Sequence, residues 1–117
     1  MQTTDLLTQK ADQYAHLVYE VTKKLPKDEL YGVTSQLRRA ALSVPLNIIE
    51  GYARQAPKVH KQFLQIAYGS LKESQYLLDF IVKENYVQPE NIKQADELGV
   101  EVAKLLWTKL KNLSQTE

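Results

Sequence analysis

Three prolines divide this chain into four segments, and each segment repeats its apolar residues at helical spacing. Pro26, Pro57 and Pro89 stand between the segments. A proline lacks the N–H that a helix interior needs, restricts the residue before it and suits a first helical turn, so it ends one helix or opens the next. In the first segment Leu7, Ala11, Tyr14, Val18 and Val21 recur every three or four residues and make one apolar stripe. Lys23 and Lys24 suit the C-terminal end of that helix. The spacing predicts helices over about 4–24, 28–55, 57–85 and 89–113, with a frayed tail at 114–117. The fourth stripe holds Ile92, Ala95, Gly99, Val102, Leu106, Leu110 and Leu113; Trp107 stands off it and is expected to cover a bundle end or an interface. No stretch of useful length alternates with a period of two, so no strand is expected. Short connections make consecutive helices antiparallel neighbours. The expected fold is all-α, an up-down-up-down antiparallel four-helix bundle forming a single domain over 1–117.

The size suits that fold. A chain of 117 residues buries roughly two-thirds of its unfolded surface, enough for a core without covalent staples. It contains no cysteine, which excludes disulfides and thiolate metal sites and fits a reducing compartment. Its apolar runs fall well short of the roughly 20 residues that cross a bilayer. The first twelve residues carry no basic stretch followed by an apolar block, so no secretory signal is read. A cytoplasmic protein without membrane contact is expected.

The net charge is only +1, but it is unevenly distributed. Between Gly32 and Lys72 the cations Arg38, Arg39, Arg54, Lys58, Lys61 and Lys72 face the single acid Glu50, a balance of +5. Between Glu73 and Glu101, seven acids face Lys83 and Lys93, a balance of −5. Within the basic tract, Arg38, Arg54, Lys58, Lys61 and Lys72 are the candidate nucleic-acid contacts.

The second helix carries two apolar arcs, where a helix of an isolated bundle needs one. Val33, Leu37, Ala41, Val44, Ile48 and Tyr52 share the core arc; Leu42, Leu46, Ile49 and Ala53 form the other. A second packing surface follows, since large exposed apolar patches mark interaction sites. These four residues are the candidate oligomer interface; the competing reading makes this helix central within its own chain. Pro45 lies inside the helix, yet both arcs continue in phase across it, so a kinked but continuous helix is expected.

Between the arcs runs a polar seam of Gln36, Arg39, Ser43, Asn47 and Glu50. A hairpin turn centred on Ala56 places Arg39 opposite Glu73, Ser43 opposite Gly69 and Glu50 opposite Gln62. The expected contacts are an ion pair, a close backbone approach at Gly69 and a polar pair, which together would fix the register. A ligand site lined by Arg39 and Asn47 is the alternative.

Three stretches resemble a bacterial family signature: YGVTSQLRRA over 31–40, SVPLNIIEGY over 43–52 and IAYGSLKE over 66–73. They are similar to the small four-helix-bundle proteins encoded in intervening sequences of 23S rRNA genes, and to the accessory variability proteins of diversity-generating retroelements. The resemblance covers roughly 25–87, with the flanking helices matching in pattern. It implies a ring-like homopentamer. For the retroelement members it also implies binding to nucleic acid and to a reverse transcriptase; those members are strongly basic, and this chain is nearly neutral.

Catalytic chemistry has no foothold in the pattern. His16 and His60, the two histidines, belong to no metal-ligand spacing and are expected at the surface or its boundary. No phosphate loop and no nucleophile elbow occur, and Ser43, Ser70 and Ser74 have no histidine base in the expected bundle. No catalytic residue, metal or cofactor is assigned. The expected function is a non-catalytic homo-oligomeric scaffold or adaptor, five copies by resemblance, binding RNA, DNA or a nucleic-acid enzyme. The alternative is a protein–protein module with no nucleic-acid contact. Clustering of the five candidate cations on one exposed face favours the first, and scattering favours the second.

Overall fold

The computed structural model describes residues 5–116. The first helix, α1 (Leu6–Thr22), begins where the Asp5 carboxylate accepts a hydrogen bond from the Thr8 amide at 3.0 Å, satisfying one of the donors that a helix start leaves open. A short 3₁₀ turn (Lys27–Glu29) and a π turn (Leu30–Thr34) lead into α2 (Ser35–Ala53). Next come α3 (Pro57–Lys83) and α4 (Pro89–Thr116), both opening on the proline that the sequence places in the first turn. The four helices make an all-α bundle about 45 Å long and 24 Å across, with α1 against α2 and α4, and α3 against the same two. Among the described residues there is no strand, and no helix is long and apolar enough to cross a membrane.

The core is built from the periodic stripes. Leu7, Ala11, Tyr14, Val18 and Val21 of α1 are buried, as are Leu37, Ala41, Val44 and Ile48 of α2. Leu64, Leu71, Leu78 and Ile81 of α3, and Ala95, Val102 and Leu106 of α4, complete it. At mid-height Tyr14, with no exposed surface, reaches across the bundle to Ser74 of the diagonal helix, oxygen to oxygen at 2.7 Å. Ser74 donates in turn to the Leu71 carbonyl at 2.8 Å, so the tyrosine hydroxyl is the donor to the serine. Burial pushes the Tyr14 phenol up to about 12. Gly99 of α4 makes room for the ring: a Cβ there would sit 2.9 Å from Tyr14 Cε1.

Several boundaries differ from expectation. The second helix starts at Ser35 rather than near residue 28, because Gly32 adopts φ −107° and ψ −116°, which no helix continues through. The Glu29 carboxylate turns inward at this break, accepting from the Val33 amide at 3.3 Å and the Tyr86 hydroxyl at 3.1 Å. The same helix ends at Ala53 and the first at Thr22, each two residues early. Thr4, the expected start of the first helix, lies outside the described residues. α3 ends at Lys83, two residues early, where Asn85 takes a left-handed φ of 61° and the Tyr86 amide reaches back to the Ile81 carbonyl. α4 continues as far as Thr116, past the expected end at 113, while Glu117 lies outside the described residues. Pro45 is buried inside a continuous α2.

Candidate functional site

The second apolar arc of α2 points away from the core. Leu42 and Leu46 are exposed, Leu46 by 52%, Ala53 is exposed and Ile49 is half-buried. The outward side of α3 adds Ile66, Tyr76 and Phe80, all exposed, the last two with ring centroids 6.3 Å apart. The exposed apolar residues of α2 and α3 therefore flank the polar seam on both sides.

The seam is one residue out of the expected register. Ser43 pairs with Ser70, oxygen to oxygen at 2.9 Å, rather than lying on Gly69. Asn47 donates from its side chain to the Ser43 carbonyl and hydroxyl, both at 2.8 Å. Gly69 is not a close approach: a Cβ there would meet nothing within 4 Å. The tight contact of this hairpin is at Gly51, where a Cβ would lie 3.0 Å from the His60 ring and 3.3 Å from the His60 carbonyl oxygen. Arg39 and Glu73 line one groove with Tyr31, Gln36 and Ser43, but no ion pair joins them. Glu50 pairs with Arg54 one turn along its own helix, at 2.9 Å, rather than with Gln62. Both Glu50 and Glu73 are exposed.

The five candidate cations do not share a face. Arg38 turns toward α1, donating to Thr22 Oγ1 at 2.8 Å and stacking 5.2 Å above the Tyr19 ring. Arg54 sits at the end of the α2–α3 hairpin, paired with Glu50 and lying over the Phe63 ring. Lys58 is exposed in the first turn of α3. Lys61 and Lys72 lie on the other side of α3, facing α4.

That α3–α4 face holds residues which the sequence reading left unconnected. Tyr68 and Trp107 meet with ring centroids 6.0 Å apart. Trp107 is 58% exposed and lines two adjoining shallow grooves. One is bordered by Lys61 and Lys111, the other by Lys72 and Lys104. Antiparallel packing brings the basic C-terminal half of α4 beside the basic N-terminal half of α3. A hairpin turn centred near residue 87 sets Trp107 within one turn of Tyr68, a proximity that the sequence carries.

The titratable groups perturbed here have structural causes. Burial raises the Asp5 carboxyl, but hydrogen bonds from Thr8 and Tyr52 and the nearby charge of Lys109 outweigh it and leave the group lowered. The Tyr52 hydroxyl, donating to that carboxylate, is raised by burial and by the bond. His60 is lowered by burial and by Lys109, and its Nε2 is buried without a hydrogen-bond partner. His16 is exposed, 3.4 Å from Asp12. Among the described residues no three His, Asp or Glu side chains gather in a metal-ligating group.

The family model for 23S rRNA-intervening sequence protein matches residues 5–108. The chain belongs to this family. The match takes in the first three helices and α4 as far as Thr108. Among solved structures, the chain is similar to a protein of unknown function from the S23 ribosomal protein family of Bacteroides thetaiotaomicron. The two share 22% identity with a TM-score of 0.84, over 91% of this chain and 99% of the other. At that identity the likeness establishes the bundle fold. No curated protein matches the sequence.

Proposed function

We propose that this protein is a non-catalytic homo-oligomeric scaffold or adaptor, five copies assembling through the outer side of α2. The observation that carries this reading is the exposed arc of Leu42, Leu46, Ile49 and Ala53 on a helix whose opposite side already fills the core. Aliphatic side chains held at two opposite sides of one helix leave an apolar surface that a second copy would remove from water. Ile66 on the neighbouring helix adds an exposed apolar side chain across the polar seam. The number five comes from the family resemblance; the apolar arc argues only for more than one. A cytoplasmic setting belongs to the same proposal.

The non-catalytic part is supported by how the serine hydroxyls are engaged. Ser43 and Ser70 bond each other, and Ser74 bonds Tyr14 and the Leu71 carbonyl, so each serves packing. The scattering of Arg38, Arg54 and Lys58 away from Lys61 and Lys72 weighs against one nucleic-acid surface made from those five. It favours the protein-binding reading for the α2 side. A reverse transcriptase partner rests on the resemblance alone.

Sedimentation equilibrium at tens of micromolar tests the assembly. A mass several times that of the 13.4 kDa protomer is expected, and Leu42→Asp with Leu46→Asp should reduce it to one protomer while circular dichroism stays helical. A wild-type monomer at that concentration defeats the proposal.

A further inference from the structure

We propose that the α3–α4 face binds single-stranded nucleic acid, with Trp107 and Tyr68 as the stacking platform and Lys61, Lys72, Lys104 and Lys111 as phosphate contacts. The face lies apart from the α2 arc, so the inference stands independently of self-assembly. Three observations carry it. Trp107 is the single tryptophan of the chain and is largely exposed, although a side chain of that size is ordinarily well buried. Its ring packs against Tyr68, whose own face carries the Lys72 ammonium 5.5 Å from the centroid, so the indole presents the open π surface at the meeting point of two grooves and the tyrosine sets a cation beside it. All four charged side chains lining those grooves are lysines. Asp79 and Asp96 belong to later and earlier turns of the same two helices, toward the opposite end of the bundle, and Asp79 is paired with Lys83 at 3.0 Å.

An apolar platform rimmed by cations calls for a partner that is both planar and anionic. Single-stranded RNA or DNA has both properties in every residue, and binding of this type is stacking plus backbone charge rather than base readout. An acidic peptide supplies the charge without the stacking. From Lys61 to Lys72 the face runs about 16 Å at 1.5 Å per residue, room for roughly five stacked bases at about 3.4 Å each. Gln65 and Gln75 along the same grooves add neutral donors and acceptors and suit a partner of mixed sequence.

The tryptophan provides its own readout. Titration of the full chain with dT12 and U12 at low salt should quench its emission, with affinity falling as salt rises by about 0.7 log units per log unit for each phosphate contacted. Lys72→Gln with Lys104→Gln should weaken binding about tenfold and flatten that salt slope. Trp107→Phe should retain more affinity than Trp107→Ala, both read by anisotropy of labelled dT12, with sedimentation and helicity as in the wild type. Four results overturn the proposal: no quenching or anisotropy change at about 10⁻⁴ M protein, the weak end of non-specific binding; unchanged affinity in the lysine pair variant; equal quenching by a twelve-residue polyglutamate; or a tryptophan already shielded from acrylamide in the free protein, which would place a second copy on this face.

Discussion

Gly69 and Gly99 sit in neighbouring helices and differ in what surrounds them. A methyl at Gly69 would enter open space, whereas at Gly99 it would press on the Tyr14 ring at 2.9 Å and on Gln75 Nε2 at 3.2 Å. Replacing a helical glycine by alanine favours the helix by about 1 kcal/mol, while overfilling a packed core typically costs about 1–3 kcal/mol. Gly69→Ala should therefore raise the urea midpoint and Gly99→Ala should lower it. His60 presents a different balance. Its folded pKa lies below the ordinary value of 6.5 because burial, and then Lys109, disfavour the charged ring. The unfolded chain thus binds the proton more readily below pH 6.5. The stability of the neutral, packed ring is complete above that pH and declines as pH falls toward the folded pKa, below which the loss levels off. Urea midpoints at pH 7.5 and 5.5 should differ accordingly, and by less in His60→Gln.

At the scale of the element, the entry to α2 depends on one carboxylate. Glu29 accepts from the Val33 amide and from Tyr86 beyond the end of α3, tying the break at Gly32 to the opposite hairpin. A Cβ at Gly32 would lie 2.6 Å from that carboxylate oxygen. Glu29→Ala should lower stability by about 1 kcal/mol, the net worth of a typical hydrogen bond whose partners water can reach. Hydrogen exchange should speed up at Val33 and Thr34 while mid-α2 stays protected. This entry was not legible in the sequence, because Val33 continues the core arc in phase and the arc alone reads as helix. The helices themselves were legible, since stripes such as Leu7 to Val21 and Ile92 to Leu110 repeat at a period that only a helix satisfies. The register failed by one residue at Ser43 because side-chain spacing fixes which face is buried but leaves the geometry of the turn at 54–56 free. The α3–α4 face was hidden for a related reason: Trp107 stands off the stripe of its own helix, and it acquires a partner only when Tyr68 is folded beside it.

The whole molecule has two differently furnished sides. The α2 side is aliphatic and the α3–α4 side is aromatic and basic, so one can hold copies together while the other stays open to a different partner. If both proposals hold, assembly multiplies the α3–α4 face, and several weak sites on one strand give an avidity that no single protomer has. Leu42→Asp with Leu46→Asp should then reduce affinity for a long oligonucleotide far more than for dT12, measured by anisotropy on both lengths. The Tyr14–Ser74 bond, seated against Gly99, bears on a matter of a different kind. It ties α1, α3 and α4 together at a single level, and inserting one residue turns everything beyond it by 100° around the helix axis. An insertion close to that level would swing the tyrosine away from its serine or the glycine away from the ring. Added or deleted residues should be tolerated at the far ends of the bundle and rejected near its middle, so natural length variation in this family should collect at the turns and termini.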